Sequence, residues 1–205
     1  MVETKAHWDK VYSTKPAQAV SWFAPHLETS LKLIHEASTR KDTAIIDIGG
    51  GESTLVDDLF SEGYQNLSVL DISQKAIDVA KERMGLNASA IQWHCADITQ
   101  ACLPEAYFDI WHDRAVFHFL TKSSDRAQYI EQVRRSLKHD GYVIMATFGP
   151  EGPTQCSDLD VERYDTQELH GQFGDSFELL QSSTEIHQTP MGTTQQFLYC
   201  FCRMK

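Results

Sequence analysis

The chain has 205 residues, 41% hydrophobic and 23% charged, so it is long enough for one domain with a sizeable core and close in composition to an ordinary soluble protein. Its 18 Lys and Arg face 29 Asp and Glu, a net charge of −11, which leaves little basic surface for phosphates and excludes nucleic acid as the expected partner. No apolar run approaches the ~20 residues of a membrane helix, and the opening Met-Val-Glu-Thr-Lys-Ala-His-Trp lacks a signal-peptide core.

Strands alternate with helices along the chain. Leu27, Leu31 and Ile34 share one helical stripe. Ala44 to Ile48 is a short apolar run of the buried parallel kind, ending in Gly49-Gly50-Gly51. Leu55, Leu59 and Phe60 mark a helix that stops near Gly63, and Leu67 to Leu70 a second strand. Ser73 is placed to cap a helix that turns Ile77, Ala80 and Met84 inward. Ile91–Cys95 and Phe108–Trp111 are the third and fourth strands. Ile130, Val133 and Leu137 then lie on one stripe of a helix, with Gly141 beyond its end. Tyr142–Phe148 is a fifth strand, and the Gly- and Pro-rich stretch after it predicts a long loop. Phe177–Ser182 and Gln195–Cys202, separated by Pro190-Met191-Gly192, predict an antiparallel hairpin. The expected fold is therefore α/β: one doubly wound, mostly parallel seven-stranded sheet with a C-terminal antiparallel hairpin.

In such sheets ligands bind beyond the carboxyl ends of the strands. After the first strand stands Asp47-Ile48-Gly49-Gly50-Gly51-Glu52-Ser53, where the glycines permit close backbone approach and the next helix offers free N–H groups. The turn departs from the dinucleotide GxGxxG pattern, because Thr54 stands in the third glycine's place. Asp71 ends the second strand, where a carboxylate can accept both ribose hydroxyls. Asp97 follows the third, where it can accept from an adenine amino group. Each Asp alone is equally a turn former or cap. Three acids at three successive strand ends beside a glycine turn point together to a nucleoside-bearing ligand.

These residues resemble the class I S-adenosylmethionine-dependent methyltransferases. Asp47-x-Gly49-x-Gly51 matches their first motif, Asp71 with Ile72 their ribose acid and adenine neighbour, Asp97-Ile98 the pair at the adenine edge, and Phe108-Asp109-Ile110-Trp111 their fourth strand. The resemblance implies a Rossmann-like methyltransferase fold and S-adenosyl-L-methionine as cofactor, with Gly50 and Ser53 in the same glycine loop. His7-Trp8-Asp9-x-x-Tyr12, followed by Val20-Ser21-Trp22-Phe23, is similar to the WDxxY opening of a small-methyltransferase group. That group includes elongation-factor lysine methyltransferases and, more distantly, thiol methyltransferases. It implies that residues 1–40 form a helical lid over an α/β core at 41–205, with Trp8, Tyr12 and Trp22 against the cofactor. As packing aromatics the same three residues would need no ligand.

For the acceptor side the richest stretch is His112-Asp113-Arg114-Ala115-Val116-Phe117-His118. A helical turn begun after Asp113 would put Arg114 and His118 on one face. Asp113, Arg114 and His118 are then the candidate catalytic group, holding an anionic or thiol-bearing acceptor and removing its proton. His118 is also readable as a satisfied core histidine. Cys156, Arg163 and Tyr164 are polar candidates in the loop. The five cysteines form no CxxC and the nine histidines no HxxxH, so no metal is expected and a reducing cytoplasm is the expected compartment.

The expected function is methyl transfer to a small-molecule acceptor, with no nucleic-acid or membrane partner; the sequence is silent on oligomeric state. A protein lysine N-methyltransferase is the alternative, since an acidic surface suits a basic target. An NAD-dependent oxidoreductase would share the glycine turn and Asp71 without needing Asp47 or Asp97. A non-catalytic cofactor-binding module would keep all three acids.

Overall fold

A computed structural model describes residues 2–205. Nine strands and six α-helices are described, in the order α1 (Val2–Thr14), α2 (Glu28–Ala37), β1 (Ala44–Ile48), α3 (Leu55–Ser61), β2 (Asn66–Asp71), α4 (Gln74–Met84) and β3 (Gln92–Cys95). There follow β4 (Phe108–Arg114), α5 (Ser123–Ser136), β5 (Leu137–Phe148), β6 (Gln155–Cys156), β7 (Leu159–Asp160), α6 (Thr166–Phe173), β8 (Phe177–Gln188) and β9 (Thr194–Met204). Seven strands make one sheet in the order β3-β2-β1-β4-β5-β9-β8. The first five are parallel, and β9 runs antiparallel to both β5 and β8. The expected sheet and hairpin are therefore both present. The strand order reverses at β1 and β4, which places a crevice at their carboxyl ends.

Side chains of a strand alternate between the two faces. On one face Ile46, Ile48, Trp111 and Met145 pack with residues of α5 and α6. On the other Ile45, Ile110, Ile144, Phe197 and Tyr199 pack with α2 and α3. This alternation decides where the polar residues of β4 go. His112 and Arg114 share the face of Ile110, whereas Asp113 shares that of Trp111.

Ser73 caps α4 as expected, its Oγ accepting from Ala76 N–H at 3.3 Å. Gly141 differs from its expected place: it lies inside β5, which begins directly at Leu137, and the register with β4 slips between Phe108 and Ile110 to absorb the extra residues. The chain turns at Asp140, whose φ is +65°. β4 runs three residues further than the apolar run suggested. α6 was not expected; it is fixed by a capping box in which Asp165 and Glu168 satisfy each other's backbone N–H groups. The long loop after β5 carries the small β6–β7 hairpin.

Candidate active site

The chain leaves β1 through Gly49, whose φ is +71° and where a Cβ would lie 2.1 Å from Val116 Cγ2. Only glycine permits that approach. At Gly51 a Cβ would lie 2.7 Å from Asp71 Oδ2, and its N–H instead donates to that oxygen at 3.1 Å. Ser73 N–H donates to Asp71 Oδ1 at 2.8 Å. The Asp71 carboxylate is thus clamped between two backbone donors, each oxygen keeping a further lone pair. Burial outweighs those bonds and raises its pKa to about 6. Asp97 accepts from Thr99 N–H and Oγ1 at 2.9 and 2.7 Å, in the loop after β3.

A cavity of about 510 Å³ opens along these strand ends, a size ordinary for a small-molecule site. Ile48, Gly49, Asp71, Ile72, Asp97 and Ile98 line it, together with Arg114, Val116 and Cys156. Thr4, Trp8 and Tyr12 of α1, with Trp22, also line it. The aromatic rings are mutually supporting, with Trp8 5.8 Å from both Tyr12 and Trp22 and 5.2 Å from Phe119, centroid to centroid. α1 is tied down by Ser73 Oγ, which donates to Asp9 Oδ1 at 2.6 Å. A second cavity of about 40 Å³ adjoins the first, walled by Asp47, Glu52, Ser53, His112 and Arg114 and sharing Tyr12, Trp22 and Gly49 with it. Gly50 lies against the Asp47 carboxylate, with a Cβ position 2.2 Å from Oδ2.

The three candidate catalytic residues do not meet. Arg114 lies at the cavity wall with its side chain 5% exposed. Its Nη1 donates to the Trp22 carbonyl at 3.1 Å, its guanidinium carbon lies 4.1 Å from the Phe197 ring centroid, and Glu185 is 3.6 Å from Nη2. Nε and Nη2 have no hydrogen-bond partner among the described residues. Asp113 is fully buried on the opposite face of the sheet. It accepts from Tyr129 Oη at 2.6 Å and from the N–H groups of Val116 and Phe117 at 2.9 and 3.2 Å, so it caps the turn after β4 rather than reaching a ligand. Burial raises its pKa to about 7.

No helical turn begins at Arg114. Ala115 has a φ of +75° and bends the chain sharply into a short 3-10 turn at Phe117–Phe119. His118 is carried into the core, fully buried, with Nδ1 accepting from Phe148 N–H at 3.3 Å. Burial, reinforced by the Arg114 charge, lowers its pKa to about 3. It is a neutral core histidine away from both cavities, which corrects its expected placement beside Arg114. In the loop, Cys156 lines the main cavity with a thiol that burial raises to about 11. Arg163 instead clamps the carbonyls of Pro150 and Gly152, at 2.7 and 3.2 Å. Tyr164 is buried near Phe117, ring centroids 5.9 Å apart.

Two wall residues escaped the sequence reading. Glu52 is buried, its Oε2 has no partner among the described residues, and burial raises its carboxyl to about 7. His112 pairs with Asp47 across the strands. An acid directly after the glycine turn was a visible signal for Glu52, whereas His112 needed the strand register.

Residues 46–145 match a family model described as a methyltransferase domain. The chain is 28% identical over 138 residues to the mouse eEF1A lysine and N-terminal methyltransferase, covering 67% of this chain and 19% of that protein. It therefore spans about a fifth of that relative's length. It is 26% identical to the human EEF1A lysine methyltransferase 2, covering 87% of this chain and 75% of that one. In fold it is similar to the Burkholderia thailandensis 1,6-didemethyltoxoflavin-N1-methyltransferase, whose structure has 1,6-didemethyltoxoflavin and S-adenosylhomocysteine bound; the TM-score is 0.70 at 15% identity, over 100% of this chain and 85% of that one.

The residues of this site suit S-adenosylmethionine chemically. Two acids with free lone pairs suit a ribose diol and an amino-adenine edge, and the partnerless Asp47 Oδ2 and Glu52 Oε2 suit an ammonium group. Aromatic faces on the cavity wall suit a sulfonium cation. Among the described residues no cluster of His, Cys, Asp and Glu could hold a metal ion, and no helix is long and apolar enough to cross a membrane.

Proposed function

We propose that the chain transfers the methyl group of S-adenosylmethionine to a small-molecule acceptor that carries a negative group or a thiol. One observation carries this reading: a guanidinium buried at the cavity wall keeps Nε and Nη2 without a hydrogen bond, its one ion-pair contact being Glu185 at 3.6 Å from Nη2 among the described residues. Buried donors left unpaired are costly, and a planar anion completes such a fork. The same fixed charge favours the thiolate form of a thiol beside it.

When bound, the donor supplies an electrophilic methyl group on a sulfonium. The chain's own contribution is positioning and exclusion of water. In this reading Asp71 and Ile72 hold the ribose and one adenine face, Asp97 and Ile98 the adenine edge, and Asp47, Gly49, Gly50, Gly51 and Ser53 the methionine end. Trp8, Tyr12 and Trp22 close the site as a lid formed by residues 1–40 over the core at 41–205; their places on the cavity wall support this. Glu52, partnerless at Oε2 on the wall of the smaller cavity that Asp47 also lines, is suited to the donor's ammonium end, and neither His118 nor Asp113 lines either cavity. Five free cysteines among the described residues accord with a reducing, cytoplasmic setting.

A protein lysine acceptor is the second reading, favoured by the likeness to the human lysine methyltransferase over most of both chains and by the net charge of −11. Arg114 weighs against it, because a fixed cation repels an incoming ammonium. The test is transfer from labelled donor into a metabolite pool and, separately, into a protein lysate. Label in a small anionic or thiol metabolite is expected. Label confined to protein lysines overturns the small-molecule reading.

A further inference from the structure

We propose that His112 is a positioning residue for donor binding that acts through Asp47; the inference rests on the donor assignment above. The two residues are register partners of β1 and β4, on the sheet face that α2 covers. His112 Nδ1 lies 2.7 Å from Asp47 Oδ1, and Nε2 lies 2.9 Å from Ser30 Oγ on α2. Ser30 Oγ in turn is 3.4 Å from Tyr199 Oη on β9. All four side chains are buried.

The hydrogen-bond partners assign the protons. A carboxylate only accepts, so Nδ1 carries the hydrogen and donates to Asp47. Nε2 is engaged by Ser30 Oγ, which in turn meets Tyr199 Oη. With both ring nitrogens engaged, His112 is no base for the acceptor. Its effect is to hold Oδ1 and so to fix which way the carboxylate faces.

The fixed orientation matters because of the other oxygen. Asp47 Oδ2 has no hydrogen-bond partner among the described residues, and Asp47 lies on the wall of the smaller cavity. A partnerless buried carboxylate oxygen at a cavity wall is completed by a cation or a hydrogen-bond donor from a ligand. The donor's ammonium end is the matching group. A carboxylate free to turn would spend part of its time with neither oxygen presented.

The test compares two polar replacements of similar bulk in the full-length chain. The side-chain N–H of Asn falls where Nδ1 donates, and that of Gln falls where Nε2 lies. His112→Asn should bind S-adenosylmethionine and S-adenosylhomocysteine within about threefold of wild type by calorimetry. His112→Gln should lose about tenfold or more, the scale of one hydrogen bond to a charged group. Thermal melts confirm that both are folded. On an Asp47→Ala background the difference between Asn and Gln should vanish, since the interaction is pairwise. Equal affinity of the two variants, whether unchanged or equally weakened, overturns the proposal, as does a difference that persists without Asp47. Wild-type protein that binds neither ligand overturns the donor assignment instead.

Discussion

Tyr129 Oη donates to Asp113 Oδ2 at 2.6 Å, and Trp111 Nε1 donates to Tyr129 Oη at 2.8 Å, all on the sheet face turned away from Arg114. Two chain neighbours thus serve different ends: Asp113 holds the turn after β4, and Arg114 faces the cavity. Tyr129→Phe should therefore cost about 1–3 kcal/mol of stability, the penalty for a buried acceptor that loses its partner. Donor affinity of the folded protein should stay at the wild-type value. Chemical denaturation and calorimetry on one variant separate the two; a stable protein with impaired donor binding would return Asp113 to the site.

Arg114→Lys keeps the charge and loses the fork. Methyl transfer to the acceptor should fall by about tenfold or more, from the loss of one or two charge-assisted hydrogen bonds, while donor affinity is retained. Equal loss of both would assign Arg114 to the donor's carboxylate. No loss of either would leave it a buried ion pair with Glu185.

Asp71→Ala removes the acceptor for Gly51 N–H and Ser73 N–H as well as the ribose ligand. Donor binding should weaken by roughly 10- to 150-fold. Stability should fall too, by about 1–3 kcal/mol for each N–H left unpaired, so the titration belongs well below the variant's lowered melting temperature. A folded variant with wild-type affinity would remove Asp71 from the ribose.

Deleting residues 1–15 removes α1 but keeps Trp22, whose carbonyl holds Arg114. The β-sheet should remain folded by circular dichroism, and donor affinity should fall at least tenfold as Trp8 and Tyr12 leave the cavity wall. Tight donor binding by the shortened chain would show that α1 only packs.

His118 offers a pH test. Its folded pKa of about 3 lies below the ordinary 6.5, so the unfolded chain binds the proton more readily. Its contribution to stability is complete above 6.5 and is lost as pH falls through the window from 6.5 toward 3. Relative to His118→Asn, the wild type should lose its advantage across that window and hold it above. In an NMR titration the imidazole should stay neutral from pH 8 to about 4. A His118 titrating near 6.5 would place it in contact with solvent or ligand.

The parallel strands were legible because each is an apolar run between turn signals, and Asp47, Asp71 and Asp97 because each stands at or just past the carboxyl end of such a run. What escaped depended on period or on register. Asp113 and Arg114 are adjacent in the chain, yet a strand's alternation sends adjacent side chains to opposite faces. The expected helical pairing of Arg114 with His118 failed at Ala115, whose positive φ no composition signals. The contact of Asp47 with His112 spans 65 positions, and Ser30 reaches it from a third element. α6 was missed although Asp165-x-x-Glu168 spells its cap, because the helix is only eight residues long.

Arg114 touches Trp22 near the start of the chain, Glu185 on β8 and Phe197 on β9. The cavity residues from Ile48 to Ile98 lie in one stretch of the chain, far from either hairpin strand. The guanidinium is set only where β9 lies between β5 and β8, so a chain cut short of the hairpin lacks both the Phe197 face and the Glu185 carboxylate that surround Arg114.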